Sequence, residues 1–182
     1  MRAASGIIMR TCILLIAMLL VPSAATAEMT VSPRVSAINR GAGRLDMGIG
    51  LAGSGTLRPL DSIRIGIFAA AIGTGFFARS PGIIADAHAA GTMIWSPAVE
   101  TSLGIGASFM SARLCGAAWC GRQTGIVPSA DLRIKYVVSS DPATRRSFGV
   151  VGEAAVYYVP VSVVLAGFNG RANLGLEWAF GG

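Results

Sequence analysis

The final stretch, Arg171 to Gly182 (RANLGLEWAFGG), alternates from one end to the other. Ala172, Leu174, Leu176, Trp178 and Phe180 take every second position, with Asn173, Gly175, Glu177 and Ala179 between them. Successive side chains of a β-strand leave on opposite faces. This segment therefore has an apolar face ending in two aromatics and a small polar face carrying one acid. In water the apolar face must be buried against a core, whereas in a bilayer it can meet lipid.

The same period of two recurs upstream. Leu45, Met47, Ile49 and Leu51 alternate with Asp46, Gly48, Gly50 and Ala52, and Ile63, Ile65 and Ile67 alternate with Ser62, Arg64, Gly66 and Phe68. Val99, Leu103, Ile105, Ala107 and Phe109 oppose Glu100, Ser102, Gly104, Gly106 and Ser108. Ala130, Leu132, Ile134 and Tyr136 oppose Asp131, Arg133 and Lys135, and Glu153 faces away from Val150, Val156 and Tyr158. Charge thus falls on the face that also carries glycine and serine. In a soluble β-sandwich that face is the wet exterior. In a membrane barrel it is the lumen, where acids and bases must pair, and Asp46, Arg64, Glu100, Arg133, Glu153 and Glu177 form the candidate lumen network.

The start of the chain indicates the compartment. Arg2 and Arg10 precede the apolar run CILLIAMLLV (Cys12 to Val21), and Ala25-Thr26-Ala27 supplies a small-residue cleavage site. This is the pattern of a secretory signal peptide, so residues 1–27 read as a cleaved leader and 28–182 as the mature domain. About ten apolar residues fall short of the roughly 20 that span a bilayer as a helix. Beyond Glu28 the best helical candidate, Ile65 to Ala78, is also too short and too rich in glycine. An apolar exported chain without spanning helices fits a closed barrel, in which every backbone group pairs within the sheet.

Length favours that reading over a soluble sandwich. Several alternating runs, among them Val99 to Phe109 and Ala172 to Phe180, reach the roughly 9–11 residues of a membrane strand. The expected fold is all-β: a closed antiparallel up-and-down membrane β-barrel of about eight strands, with ten as the other even count. SSDPATRRS, Ser139 to Ser147, reads as a turn, and Asn169-Gly170 is the strongest short hairpin signal. Ser80 to Pro97 reads as a strand plus loop or a long loop, and Met29 to Asn39 as a first strand or a lead-in.

An exported chain of this size ending in Leu174, Leu176, Trp178 and Phe180 resembles the small outer-membrane β-barrel proteins of Gram-negative bacteria, the OmpA-type and porin-like class. The resemblance is one of pattern and covers most of 28–182. It implies an outer-membrane location and a monomer in contact with membrane lipid and lipopolysaccharide. It also implies that the last strand is the signal read by the barrel-assembly machinery. The family commonly ends on the aromatic itself, whereas Gly181 and Gly182 follow Phe180 here.

Little in the chain points to catalysis. Cys115 and Cys120 remain after leader removal, and a pair in an oxidising compartment reads as a disulfide. No further thiol or imidazole ligands accompany it, so no metal is expected. His88 is the one histidine, with Asp86 two residues before it, on the same face if the stretch is a strand. Outer-membrane lipid-modifying enzymes are small barrels that use histidine with serine or acid, so a lipid A deacylase or acyltransferase is the catalytic alternative. The chain lacks a recognisable nucleophile motif, and the expected class is not an enzyme. Gly48 to Gly53 matches G-x-G-x-x-G, but inside an alternating strand of an exported chain it is no dinucleotide site, and no cofactor is expected. Two of the 15 basic residues lie in the leader, leaving 13 against nine acids. Arg58, Arg113, Arg122, Arg145 and Arg146 lie in connections, where outward arginines could meet lipopolysaccharide phosphates. Nucleic acid is not indicated.

Overall fold

A computed structural model describes residues 27–39, 45–74, 82–115, 120–141, 143–159 and 167–181; for 112–115, 120–123, 159 and 167–169 it describes backbone alone. Eight strands follow one another: β1 (Ala27–Asn39), β2 (Leu45–Leu60), β3 (Ile63–Thr74), β4 (Gly82–Ser96), β5 (Val99–Cys115), β6 (Cys120–Asp141), β7 (Arg146–Val159) and β8 (Gly167–Gly181). Each pairs antiparallel with the next, and β8 returns to β1, so the sheet closes into an up-and-down barrel. The strand count is eight, and a two-sheet sandwich is excluded because the sheet has no open edges to stack.

The polarity of the barrel is inverted relative to a soluble protein. Leu103, Ile105, Ile126 and Leu174 are each more than 60% exposed on the outside, while Arg34, Asp131 and Arg171 inside are 3% exposed or less. Every strand-borne charge that the sequence places on the glycine-rich face points inward. All five apolar residues of the last strand lie on the outer face, and Trp95, Tyr136, Trp178 and Phe180 gather toward the end that carries the termini. There Phe148 and Trp178, cross-strand partners, pack with ring centroids 5.2 Å apart.

The two ends of the barrel differ. At the terminal end the connections are short: residues 61–62, 97–98 and 142–145. In the last of these the Thr144 hydroxyl, 2.7 Å from the Asp141 carboxylate, and the Ala143 N–H, at 3.0 Å, hold the Asp141 carboxyl below its ordinary range. The connections at the other end are 40–44, 75–81, 116–119 and 160–166.

Ser80 to Pro97 supplies a full strand, β4, and Met29 to Asn39 lies within β1. The Asn169-Gly170 hairpin expectation is overturned, because both residues lie inside β8, opposite Tyr157 and Val156. Register there is set by the inward placement of Arg171 and Asn173, whose bonds to Glu153 outweigh a local turn preference. Pro160 lies outside the described residues.

Pro33 interrupts the closing seam. The β1–β8 ladder pairs Val31 with Trp178 and Arg34 with Gly175 but skips Ser32 and Pro33, while Pro33 keeps Leu51 as its partner on β2. Proline has no N–H to give to a ladder. Pro33→Val, on the exposed outer face, should restore a hydrogen bond and raise stability by about 0.5–1.5 kcal/mol, read as a higher urea midpoint.

Candidate functional site: the charged lumen

Alternation turns the polar residues of eight strands toward one axis, and their lengths then decide which charges meet. At the terminal end Arg64 Nη1 lies 3.0 Å from Glu100 Oε2 and 3.2 Å from Glu28 Oε1. Lys135 Nζ lies 3.1 Å from Glu177 Oε1, with Arg34 Nη2 3.8 Å from Glu177 Oε2. Glu28, Arg64, Glu100, Lys135 and Glu177 border a small cavity of about 30 Å³, room for one or two waters.

Deeper in, Glu153 is the hub. It pairs with Arg34, accepts from Arg171 Nη2 at 2.6 Å and accepts from Asn173 Nδ2 at 2.7 Å. Arg171 reaches on to Asp86, with Nη1 2.6 Å from Oδ2. Phe68 sits at the centre: the Arg133 guanidinium lies 4.0 Å above its ring, Arg34 lies at 5.0 Å, and His88 stacks at 6.1 Å. An aromatic face accepts a desolvated guanidinium well, so one apolar side chain is compatible with a lumen of charges. Past this layer Ile38, Ile72, Ile84, Val127 and Tyr157 form an apolar cluster toward the other end.

The sequence-derived network is thus brought together in part. Arg64 meets Glu100, and Arg34 touches both Glu153 and Glu177. Arg133 goes to Asp131, with Nε 3.0 Å from Oδ2, rather than to any of the four acids expected for it. Asp46 is buried in the lumen opposite Ile38 at the start of β2, away from the terminal end, where its Oδ1 accepts the Met47 N–H. The reading passed over Arg34, Arg171 and Glu28, and set Asp86 beside His88 rather than within the charge network. Arg34 was legible: Thr30, Ser32, Arg34 and Ser36 alternate with Val31, Pro33 and Val35.

His88 is a lumen residue on the same face as Asp86, but its carboxylate partner is Asp131 on β6, with Nδ1 2.5 Å from Oδ1. Its Nε2 lies 2.7 Å from Ser129 Oγ, and Ser108 donates to that oxygen at 2.7 Å. Register explains how an imidazole on β4 reaches β6. His88 pairs with Gly106 on β5, which pairs with Ser129, and Gly104 pairs with Asp131. A Cβ on Gly106 would meet His88 Cα and Cδ2 at 2.8 Å, and one on Gly104 would meet the Asp131 carboxylate. The glycines clear a bed across which the ring lies.

Serine, histidine and aspartate in this order have the connectivity of a hydrolase triad. The surroundings deny it a substrate. His88 and Asp131 are 1–2% exposed, none of the three borders the cavity, and Ser129 is laddered on both sides, to Gly106 and Tyr157. Two free N–H donors for an oxyanion are not on offer in such a wall. The chain is a buried polar network joining three strands. Among the described residues no cluster of histidine, cysteine and acid has the grouping of a metal site. Cys115 and Cys120 occupy directly facing positions in the β5–β6 register.

No protein-family model and no curated protein sequence matches the chain. Solved structures do match in shape. The attachment invasion locus protein Ail of Yersinia pestis superposes with a TM-score of 0.62 at 12% identity, covering 86% of this chain and all of that one. Neisserial surface protein A gives 0.58 at 11% identity, covering 85% and 96%. The N-terminal β-barrel domain of Pseudomonas aeruginosa OprF gives 0.55 at 12% identity, covering 84% and 97%. What this chain has in common with these small outer-membrane proteins is their fold, the closed eight-stranded antiparallel barrel.

Proposed function

We propose that this chain is an outer-membrane β-barrel with a structural or surface-binding role, its lumen closed by its own charges. One observation carries the reading: a closed sheet whose outside is a belt of isoleucine, leucine, valine and methionine and whose inside holds seven acids and five bases. In water that belt would be an aggregation surface; in a bilayer it is the lipid contact. Strands of 12 to 22 residues exceed the roughly 9–11 needed to cross. Short turns at one end and longer connections at the other match the periplasmic and external ends of such barrels, so the termini would be periplasmic. Residues 1–27 would be the leader, and β8 with its terminal aromatics the assembly signal. Because six of the seven lumen acids lie within 4 Å of a base, the interior would be a plug rather than a pore.

Fractionation tests this directly. The mature chain, starting at Glu28, should be extracted from outer membranes by detergent and migrate differently on gels before and after boiling. A soluble periplasmic species without a heat shift would overturn the barrel. The lipid-modifying alternative makes a separate claim, that His88→Ala changes lipid A acylation; burial of the His88 chain supports no change. The cysteines are proposed to close the β5–β6 hairpin: the purified chain should resist maleimide until reduced, and labelling of both thiols without reductant would refute the bridge.

A further inference from the structure

We infer that the lipid-facing rim of β6, β7 and β8 holds one phospholipid of the periplasmic leaflet, its phosphate on Arg146 and its headgroup ammonium on Asp141. The inference rests on the membrane reading above and adds a partner to it.

The register assembles the site from three strands. Asp141 on β6 faces Arg146 on β7, which faces Phe180 on β8. One row further along, Ser139, Phe148 and Trp178 stand side by side in the same way. Both rows lie on the outer face. The intervening Ser147 points inward, its Oγ 3.4 Å from Lys135 Nζ, while Trp178 and Phe180 are 38% and 46% exposed outside. Asp141 and Arg146 are exposed as well. The rim row therefore sets an acid and a base beyond an aromatic pair, at the level where a bilayer passes from hydrocarbon to headgroup.

The two charges are not committed to each other. The Asp141 carboxylate accepts the Thr144 hydroxyl at 2.7 Å and the Ala143 N–H at 3.0 Å within its own turn. Among the described residues no ion pair within 4 Å joins it to Arg146. Arg58, at the same end, is by contrast held by Asp61, with Nη2 2.7 Å from its carbonyl and 3.9 Å from Oδ1. The turn is fixed in place, since the Gly181 N–H donates to the Arg145 carbonyl at 2.8 Å. Facing side chains stand about 5 Å apart at Cβ. A phosphate and an ammonium joined by two carbons bridge such a gap, the phosphate accepting from the guanidinium and the ammonium donating to the carboxylate. A bare phosphate would meet the acid as well as the base, so the zwitterion fits better.

Beyond the aromatic pair the sheet offers a place for an acyl chain. Gly152 and Ala154 continue the outer face of β7, between Ile134 and Leu132 on β6 and Leu174 on β8. Those three flanking side chains are 49–63% exposed, and a Cβ on Gly152 would meet nothing within 4 Å. The result is a trough along β7 with aliphatic walls. Phe148 to Ala154 spans six residues, about 20 Å along the strand. For a strand tilted roughly 35–45° that is about 15 Å along the membrane normal, half of a hydrocarbon core about 30 Å thick. A chain of one leaflet therefore fills the trough with its phosphate at Arg146. The occupant inferred is a phospholipid of the phosphatidylethanolamine type.

The test uses the full mature chain carrying Trp95→Phe/Trp119→Phe, so that Trp178 is the one emitter. It is placed in phosphatidylcholine vesicles with acyl-brominated phosphatidylethanolamine, phosphatidylglycerol or phosphatidylcholine as quencher. Brominated phosphatidylethanolamine should quench Trp178 with an apparent affinity about threefold above the other two. Arg146→Gln should make the three lipids equal, Arg146→Lys should keep part of the preference, and Arg58→Gln should leave it unchanged. Asp141→Asn should remove the preference for phosphatidylethanolamine over phosphatidylglycerol. Equal quenching by all three lipids, a preference for phosphatidylglycerol, or an Arg146→Gln variant that behaves as its parent would overturn the site. All variants are first checked for the heat shift. A parent chain without that shift would refute the membrane reading itself, a result distinct from a folded barrel that does not select among headgroups.

Discussion

Glu153→Leu is expected to destabilise the barrel by about 3–5 kcal/mol, the largest loss from any single lumen substitution considered. Glu153 is the shared acceptor for Arg34, Arg171 and Asn173, and both arginines are buried to within 3%. Removing one partner of a buried pair leaves the other charge unpaired at full desolvation cost. Here two guanidinium groups lose a partner together, although Asp86 and Glu177 retain contacts with them. Glu153→Gln keeps the shape and an acceptor and should fall between wild type and leucine. Glu100→Gln should cost much less, because Arg64 keeps Glu28 at 3.2 Å beside the cavity. Urea unfolding of vesicle-embedded protein, followed by tryptophan emission, measures all three. Equal midpoints for Glu153→Leu and wild type would show that the network does not hold the strands.

Gly106→Ala should cost about 3 kcal/mol, a large effect for one methyl group. The new Cβ would press on the Ala87 carbonyl and on His88 Cα and Cδ2. A backbone atom and a ring held at both nitrogens have no room to yield. The displaced ring would lose Ser129 or Asp131, so the steric cost brings a polar one with it. Gly91→Ala is the control, since nothing lies within 4 Å of a Cβ there, and it should stay within about 0.5 kcal/mol of wild type. If both substitutions behave alike, the glycine bed beneath His88 has no structural role.

The seven acids and five bases of the lumen also explain why the barrel interior was easier to foresee as a list than as a set of pairs. Period-two alternation assigns each residue to a face without any knowledge of its neighbours. For that reason Asp46, Arg64, Glu100, Arg133, Glu153 and Glu177 share one face by alternation alone, and Leu174, Leu176, Trp178 and Phe180 share the other. Arg34 carried the same signal within β1 and was passed over. The Asn169-Gly170 expectation failed for the opposite reason: a dipeptide preference is worth less than the ion pairs and register that draw Arg171 and Asn173 inward.

The sequence by itself determined the fold class, the inside and outside of every strand named from its alternation, and the inverted polarity, because alternation is a local property of extended chain. Which charge meets which was decided only by the tertiary structure. Arg133 chooses Asp131, and His88 reaches across Gly106 to Ser129 and Asp131. Those relations depend on the stagger between strands far apart in sequence, and a period of two carries no record of it.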